Sequence, residues 1–489
     1  MRKEGLKIGW AQTDLTPSVP VIMEGQMYMR ASEYVHDPLT ATAVAFDGGE
    51  ETAVFVSMDM TEVPVHAMRK LRQKTEAEGI PFDKITFSVT HTHTSSSFYD
   101  DFMRRENEQV YAPEILPPFE TPEGMLCKDE AEDFFTDRIS ALILDAWEAR
   151  RLGGISTVHE YAAVAFSRRA QFETEKGLET VMYGDCSQRN FQGFEDGADT
   201  SLELLFTWDE NREVTGVICN VPCPSQVYEL HRFLSADYWG PARDAIRERL
   251  KKNVYILPVC GAAGDLCPVD LVQYSKTNKK ALKEWGGQTK EVLRNFDMTL
   301  ICQAAGERIA DAVQRGYKTA RNYIETRPVF KHEVIRMQLP IRQVSEEDYE
   351  EAKKQVEEIH RKFSAEHPMN MEELVQAFEP QGVILRYQQQ KSCPFYEFDC
   401  HVIRLGRAAF ATNPFELYQT YGKQIKARAE AEQVFILQLT NGCGGYLPTK
   451  AAVAGGSYSS KPASTTCGPD GGAELVEKTL ECIAKLWGN

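Results

Sequence analysis

Strand-like and helix-like segments alternate along this chain of 489 residues, and the alternation constrains its fold more than any other feature. In the first third, residues 40–46, 53–58 and 85–89 have the composition of strands, whereas residues 63–79 have helical periodicity. Further strands are predicted near 155–166, 202–208, 214–220, 254–258, 332–339, 401–405 and 434–439, and further helices near 129–152, 236–251, 300–317, 345–364, 415–431 and 472–487. We therefore predict an α/β fold, a large layered domain with a mixed β-sheet and flanking helices.

The composition restricts the partners and the cellular location. Asp and Glu number 72 against 55 Lys and Arg, a net charge of -17 that disfavours a nucleic-acid backbone or an anionic membrane as the main partner. No apolar stretch of signal-peptide length follows the first residues, and there is no run of about 18 apolar residues. The twelve cysteines include no C-x-x-C pair, which argues against a disulfide framework or a zinc ribbon. We expect a cytoplasmic protein with no membrane anchor that acts on a small molecule; a homo-oligomer remains open.

The strongest chemical signal is the sequence THTHTSSS at residues 90–97, directly after the predicted strand 85–89. If the strand continues that far, His91 and His93 point to the same face, because side chains two residues apart in a strand do so. The carboxyl ends of strands are also where open α/β sheets bind their ligands. The pair therefore indicates a metal or acid–base site, and a solvated surface pair is the alternative.

Four further loops carry polar residues where a predicted strand ends. Their sequences are CNVPCPSQ at 219–226, VCGAAGDLCP at 259–268, NPFE at 413–416, and NGCGGYLPT at 441–449 with GGSY at 455–458. Cys223 is either a zinc ligand or a buried inert thiol, and Glu416 in the first turn of a predicted helix is explained equally by the helix dipole. Five such loops with His, Cys, Asp, Glu and Tyr are what a site at one edge of a sheet needs.

Residues 106–128 are rich in Pro and Glu and lack periodicity. They predict a long surface loop, and either an active-site rim or an inert insertion fits its position after the two histidines.

Taken in order, these segments and the sequence SADY at 235–238 resemble the catalytic domain of the neutral/alkaline (non-lysosomal) ceramidase family. Members of that family are zinc-dependent amidases that release a fatty acid from ceramide. The resemblance runs from residues 14–17 (DLTP) to the last predicted helix. It implies one ceramidase-type catalytic domain over residues 1–489, with a subdomain boundary near 320–332 and without the family's C-terminal immunoglobulin-like domain.

The resemblance also implies a zinc site. The family's metal ligands correspond to His91, Glu416 and Tyr446, and Cys223 stands at the position of the family's second histidine. A thiolate is an acceptable zinc ligand, although it lowers the Lewis acidity of the metal. The alternatives for this fourth ligand are His231 or water.

Four more residues match or replace the family's substrate-facing groups. The resemblance implies that His93 faces the substrate as an oxyanion or hydroxyl partner. Tyr458 matches the family's second site tyrosine, and Arg168 matches its substrate-contacting arginine. Cys267 replaces a serine of the family, so the role of that hydroxyl group is not carried over. We expect a zinc-dependent hydrolase that cleaves an amide or ester with metal-activated water, and a small polar or sugar-like substrate rather than membrane ceramide. The alternatives are a metal-dependent lyase or isomerase acting on a sugar or polyhydroxy acid, and a degenerate metal- or ligand-binding protein.

Overall fold

The computed structural model describes residues 5–98, 102–126, 128–275 and 298–488. Within these residues the larger sheet has eight strands, in the spatial order Tyr255–Cys260, Val214–Val221, Ser201–Asp209, Arg151–Tyr161, Lys7–Asp14, Thr40–Asp47, Thr52–Met58 and Ile85–Val89. Neighbouring strands are antiparallel except at the two edges, where the outermost pair is parallel in each case. The predicted mixed sheet is confirmed, and its two parallel pairs are the βαβ-type units that the sequence indicated.

The strand Thr40–Asp47 shows why this sheet is buried on both faces. Its alanines at 41, 43 and 45 belong to the apolar core under the helix Lys128–Glu148, whereas Val44 and Phe46 point the other way into a core shared with a second sheet. On the next strand, a Cβ at Gly9 would lie 2.1 Å from the carbonyl oxygen of Ala146. The small side chains therefore let the helix rest directly on the sheet.

The second sheet has four strands among the described residues, in the order Phe330–Pro340, Phe395–Leu405, Ala408–Thr412 and Gln433–Leu437. It packs face to face on the larger sheet through stacked and tilted aromatic rings. The ring centroid of Phe410 lies 5.0 Å from that of Phe55 in the larger sheet and 4.4 Å from that of Phe435 in its own sheet. All three rings are buried, so this aromatic core fixes the two sheets against each other.

Helices cover the outer faces of both sheets. Met68–Ala77, Lys128–Glu148, Trp239–Leu250 and Met298–Ala320 cover the larger sheet, and Gln419–Arg428 and Pro469–Trp487 cover the smaller one. The molecule is therefore layered as helix, sheet, sheet, helix, which confirms the predicted fold class. None of the helices in the described ranges is long and apolar enough to cross a bilayer.

The helices Glu346–Lys362 and Met371–Ser392 form a pair, and the sequence predicted only the first of them. The second helix contains Pro380 and Gly382, which disfavour a helix interior. Tertiary packing overrides this, because Pro380 is buried and a Cβ at Gly382 would lie 2.5 Å from the Cα of Ala463. Asn370 caps the start of the helix in a capping box with Glu373.

The segment 106–128 is more ordered than predicted. It follows the helix Phe102–Glu108 and contains the turn Pro113–Ile115; residue 127 lies outside the described residues. Tyr111 and Ile115 are buried in a small core with the two-helix unit, and the Tyr111 hydroxyl donates a hydrogen bond of 2.7 Å to the carbonyl oxygen of Ala377. The predicted surface loop is confirmed for most of this segment, which is exposed or half-buried and lacks regular structure, but its few buried apolar side chains anchor the two helices.

Short elements connect the layers. The short strands are Ile22–Met23, Arg30–Ala31, Tyr34–Val35, Phe166–Ser167, Arg169–Thr174, Gly177–Met182, Phe191–Phe194, Phe233–Leu234, Leu266–Cys267, Glu416–Leu417 and Tyr446–Leu447, and the short helices are Val65–Ala67, Phe82–Lys84, Lys450–Gly455, Tyr458–Ser460 and Pro462–Ser464. Most of the residues that the sequence singled out lie on these elements or on the loops between them.

A chain of directed hydrogen bonds joins the two sheets. His332 Nδ1 donates to the Thr52 carbonyl (2.9 Å), so its Nε2 must accept from His401 Nδ1 (3.0 Å). His401 Nε2 in turn accepts from the Asn441 amide (2.9 Å), whose oxygen accepts from the backbone N–H of Phe87 (2.7 Å). Both imidazoles must stay neutral for this pattern, and burial lowers the pKa of His332 to about 3 and of His401 to about 4.

This pair predicts acid sensitivity. Both pKa values lie below the unfolded value of 6.5, so the stabilisation is complete above that pH and is lost as the pH falls towards 4. Each histidine is expected to remove up to about 1.4 kcal/mol from the free energy of unfolding per pH unit in this window. Urea unfolding of wild type and His401→Asn measures the slope, which should be shallower in the variant and unchanged in the exposed control His367→Asn. Equal slopes in all three proteins would contradict the assignment.

Candidate functional site

The two histidines converge, but not for the reason that the sequence suggested. The strand Ile85–Val89 ends before His91, and the backbone at His91 has a left-handed φ of 61°. This turn brings the rings together, with 3.5 Å between the Nε2 atoms of His91 and His93. A left-handed conformation at a residue other than glycine is strained, and such strain is concentrated at functional sites.

The Thr61 carbonyl fixes the tautomer of His91. His91 Nδ1 lies 2.7 Å from that oxygen, which can only accept, so Nδ1 carries the proton and Nε2 is left for another partner. Glu416 Oε2 lies 3.3 Å from Nε2, and because a carboxylate oxygen only accepts, a hydrogen bond between them requires a second proton on Nε2. Burial acts to lower the pKa of His91, but the Glu416 carboxylate and the Thr61 carbonyl outweigh it and raise the pKa.

Glu416 and Tyr446 are neighbours across a short parallel ladder. Glu416–Leu417 pairs with Tyr446–Leu447, and the two site residues are in register. The prediction that Glu416 begins a helix is wrong, because the chain first adds this strand and the helix begins at Gln419. Burial raises the pKa of the Tyr446 phenol well above its ordinary value, an effect that Arg168 opposes.

Arg168 lies between these groups. Its Nη2 donates to the Tyr446 hydroxyl (3.0 Å) and to the Gly264 carbonyl (2.8 Å), and lies 3.7 Å from Glu416 Oε2. Its Nε is buried and has no hydrogen-bond partner among the described residues. Arg168 is therefore held rigidly at one end and has a free N–H at the other.

His93 is held from its backbone and from its ring. Arg30 donates to the carbonyl oxygen of His93, and a Cβ at Gly25, where φ is +96°, would lie 2.5 Å from the ring. The Gln226 amide nitrogen lies 2.7 Å from His93 Nε2, which therefore accepts and leaves the proton on Nδ1, 3.9 Å from the Glu229 carboxylate. Burial, His91 and Arg30 all lower the pKa of His93, so the ring is neutral.

His93, Arg168 and Tyr446 line a cavity of about 640 Å³. Its polar side chains are Gln26, His93, Arg168, Tyr183, Gln226, Glu229, Gln376, Glu379, Tyr446, Ser457, Tyr458 and Lys461, and its apolar ones include Met27, Met182, Leu230, Val375, Phe378 and Ala463. The Tyr458 ring meets that of Tyr446 edge to face at 5.5 Å. The helix Met371–Ser392 contributes the wall of Val375, Gln376, Phe378 and Glu379, so the element that the sequence did not predict helps to enclose the site.

The segment that carries Tyr458 is fixed from behind by Arg169, the neighbour of Arg168. The buried Arg169 Nη2 donates to the carbonyl oxygens of Ala452 (3.1 Å) and Gly456 (2.8 Å), and its Nε pairs with Glu195 at 2.6 Å. One arginine of the adjacent pair therefore enters the site while the other supports it.

The structure does not bring the Cys223 thiol to the other three predicted metal ligands. Cys223 Sγ lies 3.7 Å from the Val164 carbonyl and 3.6 Å from the Pro224 carbonyl, and burial raises its pKa well above the ordinary value. His231 is exposed and its ring stacks on Phe233 at 4.7 Å. Across the described ranges, no group of three or more His, Cys, Asp or Glu side chains is placed to hold a metal.

Cys267 lies beside the site rather than in the cavity wall. The strand Leu266–Cys267 pairs with Phe166–Ser167, next to Arg168. The thiol donates to the Val269 carbonyl at 3.3 Å, and burial raises its pKa to about 12 although Arg168 opposes the shift. A buried protonated thiol with a backbone partner is a packing group, and it offers no hydroxyl in place of the family's serine.

The residues of the site that sequence reasoning missed include Gly25, Arg30, Glu62, Gln226 and Glu229. Gln226 lies in the loop 219–226 that was singled out, and Glu229 follows it closely. Glu62 comes after the strand Thr52–Met58, the parallel neighbour of Ile85–Val89, so the rule about strand ends could have found it. Burial raises the pKa of Glu62, opposed by a hydrogen bond with Cys443 and by His91. Gly25 and Arg30 carry no local signal.

A larger cavity of about 900 Å³ lies elsewhere, between the strand Arg151–Tyr161 and the second sheet. Its buried carboxylate, Glu203, is fully paired: His159 lies at 2.9 Å, Lys426 at 3.2 Å and Gln433 at 2.8 Å. None of its described lining residues has a buried polar side-chain atom without a partner. The smaller cavity is therefore the better candidate site.

No protein-family model and no curated protein matches this sequence. Among the solved structures that resemble it are two ceramidases. The crystal structure of neutral ceramidase from Pseudomonas aeruginosa matches with a TM-score of 0.67 and 16% identity, covering 99% of this chain and 75% of that one. A ceramidase complexed with C2 matches with a TM-score of 0.64 and 14% identity over the same shares. The chain has the neutral ceramidase fold, as the residue pattern predicted.

Proposed function

We propose that this protein is a zinc-dependent hydrolase that cleaves the amide or ester bond of a small polar acylated compound. The observation that carries the proposal is the convergence of His91, Glu416 and Tyr446 with the buried Arg168 guanidinium, because Tyr446 and Arg168 also line a cavity of substrate size. The fold similarity to ceramidases, which by their name act on ceramide, favours an amide bond as the target.

The residues present fit a zinc ion. Imidazole nitrogen and carboxylate oxygen are ordinary zinc ligands, and three protein ligands with one open position are typical of catalytic zinc. The Thr61 carbonyl already leaves His91 Nε2 free for a metal, as the partners of metal-bound histidines do. Buried Glu62 and Glu416 near this nitrogen also favour a cation. Bound zinc would supply a water of lowered pKa and a Lewis acid for the carbonyl.

The chain's own residues then bind and orient the substrate. Arg168 Nε is a buried donor without a partner, so it is suited to an acyl oxygen and to the negative charge that develops there. His93 is neutral and carries its proton on Nδ1, from which it can donate to a substrate oxygen. The Tyr458 phenol lies in the same wall of the cavity. Helix Met371–Ser392 contributes Val375 and Phe378 to the apolar part of the cavity wall.

We predict that the metal depends on three side chains. The protein, purified without added metal or chelator, should contain about one zinc per chain by inductively coupled plasma mass spectrometry. Glu416→Gln should retain less than about one-tenth of it, because outright loss of a ligand costs more than the 10- to 100-fold effect of an outer partner. Cys223→Ser and the surface control Glu397→Gln should retain it all.

Two results would contradict this set of metal ligands. A sharp loss of zinc in Cys223→Ser would place the thiol in the ligand set, as the sequence resemblance implied. Wild type without bound metal would contradict the zinc mechanism.

We also predict that Arg168 acts in turnover. Arg168→Gln should lower kcat on the chromogenic amide 4-nitroacetanilide by about 100-fold, the usual effect of removing one oxyanion donor. The exposed control Arg336→Gln should stay within about twofold of wild type, since surface substitutions have small effects. Thermal unfolding and zinc content, measured on the same samples, separate a catalytic loss from misfolding. Turnover at the wild-type rate in folded, zinc-loaded Arg168→Gln would refute the role.

A further inference from the structure

We propose that Gln226 and Glu229 form a subsite that binds hydrogen-bond donors on the polar half of the substrate. The subsite favours an N-acylated compound whose amine half carries hydroxyl groups, such as an acylated amino sugar. The inference rests on the proposed function only in that the ligand is called a substrate. The binding preference itself follows from the residues of the cavity wall.

The Gln226 amide has one satisfied end and one unsatisfied end. Its nitrogen donates to His93 Nε2 at 2.7 Å, and its oxygen is buried without a hydrogen-bond partner among the described residues. Gln226 is only 3% exposed and lines the cavity. A buried carbonyl oxygen without a donor is unfavourable, so the site is better suited to a ligand that supplies one.

The loop holds this amide in place. The Ser225 N–H donates to the Thr90 carbonyl at 3.3 Å, and the Tyr238 hydroxyl donates to the Cys223 carbonyl at 2.7 Å. The Gln226 N–H donates to the Pro224 carbonyl at 3.0 Å. Because these bonds hold the backbone from Cys223 to Gln226, the side chain of Gln226 starts from a fixed position.

Within the part of the chain that the structure describes, two other atoms of the cavity wall are buried without partners, and both are donors. They are Arg168 Nε and His93 Nδ1. A hydroxyl group both donates and accepts, so hydroxyl groups satisfy Gln226 and these two donors together. A carboxylate or phosphate would leave the Gln226 oxygen without a hydrogen-bond donor. A hydrocarbon would leave all three atoms without a hydrogen-bond partner.

Glu229 adds a second acceptor and a negative charge. Arg30 and Gln26 donate to the backbone oxygen of Glu229 at 2.8 and 3.2 Å, which fixes the residue, and its carboxylate lines the cavity. The Glu229 carboxylate therefore offers a second acceptor to a hydrogen-bond donor on the polar half of a ligand.

The test compares two probes that share an acetamido group on a six-membered ring. N-acetyl-D-glucosamine carries ring hydroxyl groups, whereas N-cyclohexylacetamide has none. Saturation-transfer NMR titrations give Kd for each, with zinc-loaded and with metal-stripped protein. Wild type should bind the sugar at least about tenfold more tightly, since a site that hydrogen-bonds a hydroxyl rejects the analogue without it.

The variants isolate the Gln226 oxygen. Gln226→Met keeps the length of the side chain without its polar atoms, and should bring the two Kd values within about twofold of each other. Gln226→Glu keeps an acceptor and should preserve the preference. Gln355→Met, the same change at an exposed position of the helix Glu346–Lys362, should behave as wild type.

Equal Kd values in wild type, or an undiminished preference in Gln226→Met, would overturn the subsite. Binding with the expected preference in a protein that hydrolyses no amide or ester would refute the proposed function and support the subsite. Hydrolysis with no preference between amides with and without hydroxyl groups would support the proposed function and refute the subsite.

Discussion

The hydrogen bond from His91 Nδ1 to the Thr61 carbonyl determines what the rest of the site can do. A carbonyl oxygen cannot donate, so the bond places the proton on Nδ1 and directs the Nε2 lone pair towards Glu416. The two partners follow neighbouring parallel strands, Thr52–Met58 and Ile85–Val89, whose carboxyl ends lie at the same edge of the larger sheet. The local turn at His91 then directs its ring into the site.

The second sheet supplies the other half of the site. Glu416 follows its strand Ala408–Thr412, and Tyr446 follows Gln433–Leu437, so both side chains come from the ends of a parallel pair in that sheet. The distance between His91 and Glu416 therefore depends on how the two sheets pack, through the aromatic core around Phe410. Close packing of this kind transmits small displacements, so a cavity made in that core is expected to move the two halves of the site apart.

The sequence indicated the fold and the polar loops because both leave periodic or compositional signals. The strand 85–89 was predicted with its observed bounds. The pairing of Glu416–Leu417 with Tyr446–Leu447 was not, since a two-residue strand has no periodicity and depends on a partner thirty residues away. The helix Met371–Ser392 was missed because Pro380 argues against it locally, whereas tertiary packing holds it. Gln226 and Arg30 act through contacts between distant segments, which composition does not reveal.

We propose that oxygen and nitrogen atoms of His91, Glu416 and Tyr446 would hold the metal while the Cys223 thiol stays outside the ligand set. X-ray absorption at the zinc K-edge reads the ligand atoms directly in the purified protein. We expect a zinc ligand shell of nitrogen and oxygen at about 2.0–2.1 Å with no sulfur scatterer. A sulfur contribution at about 2.3 Å would contradict it and make Cys223 a ligand.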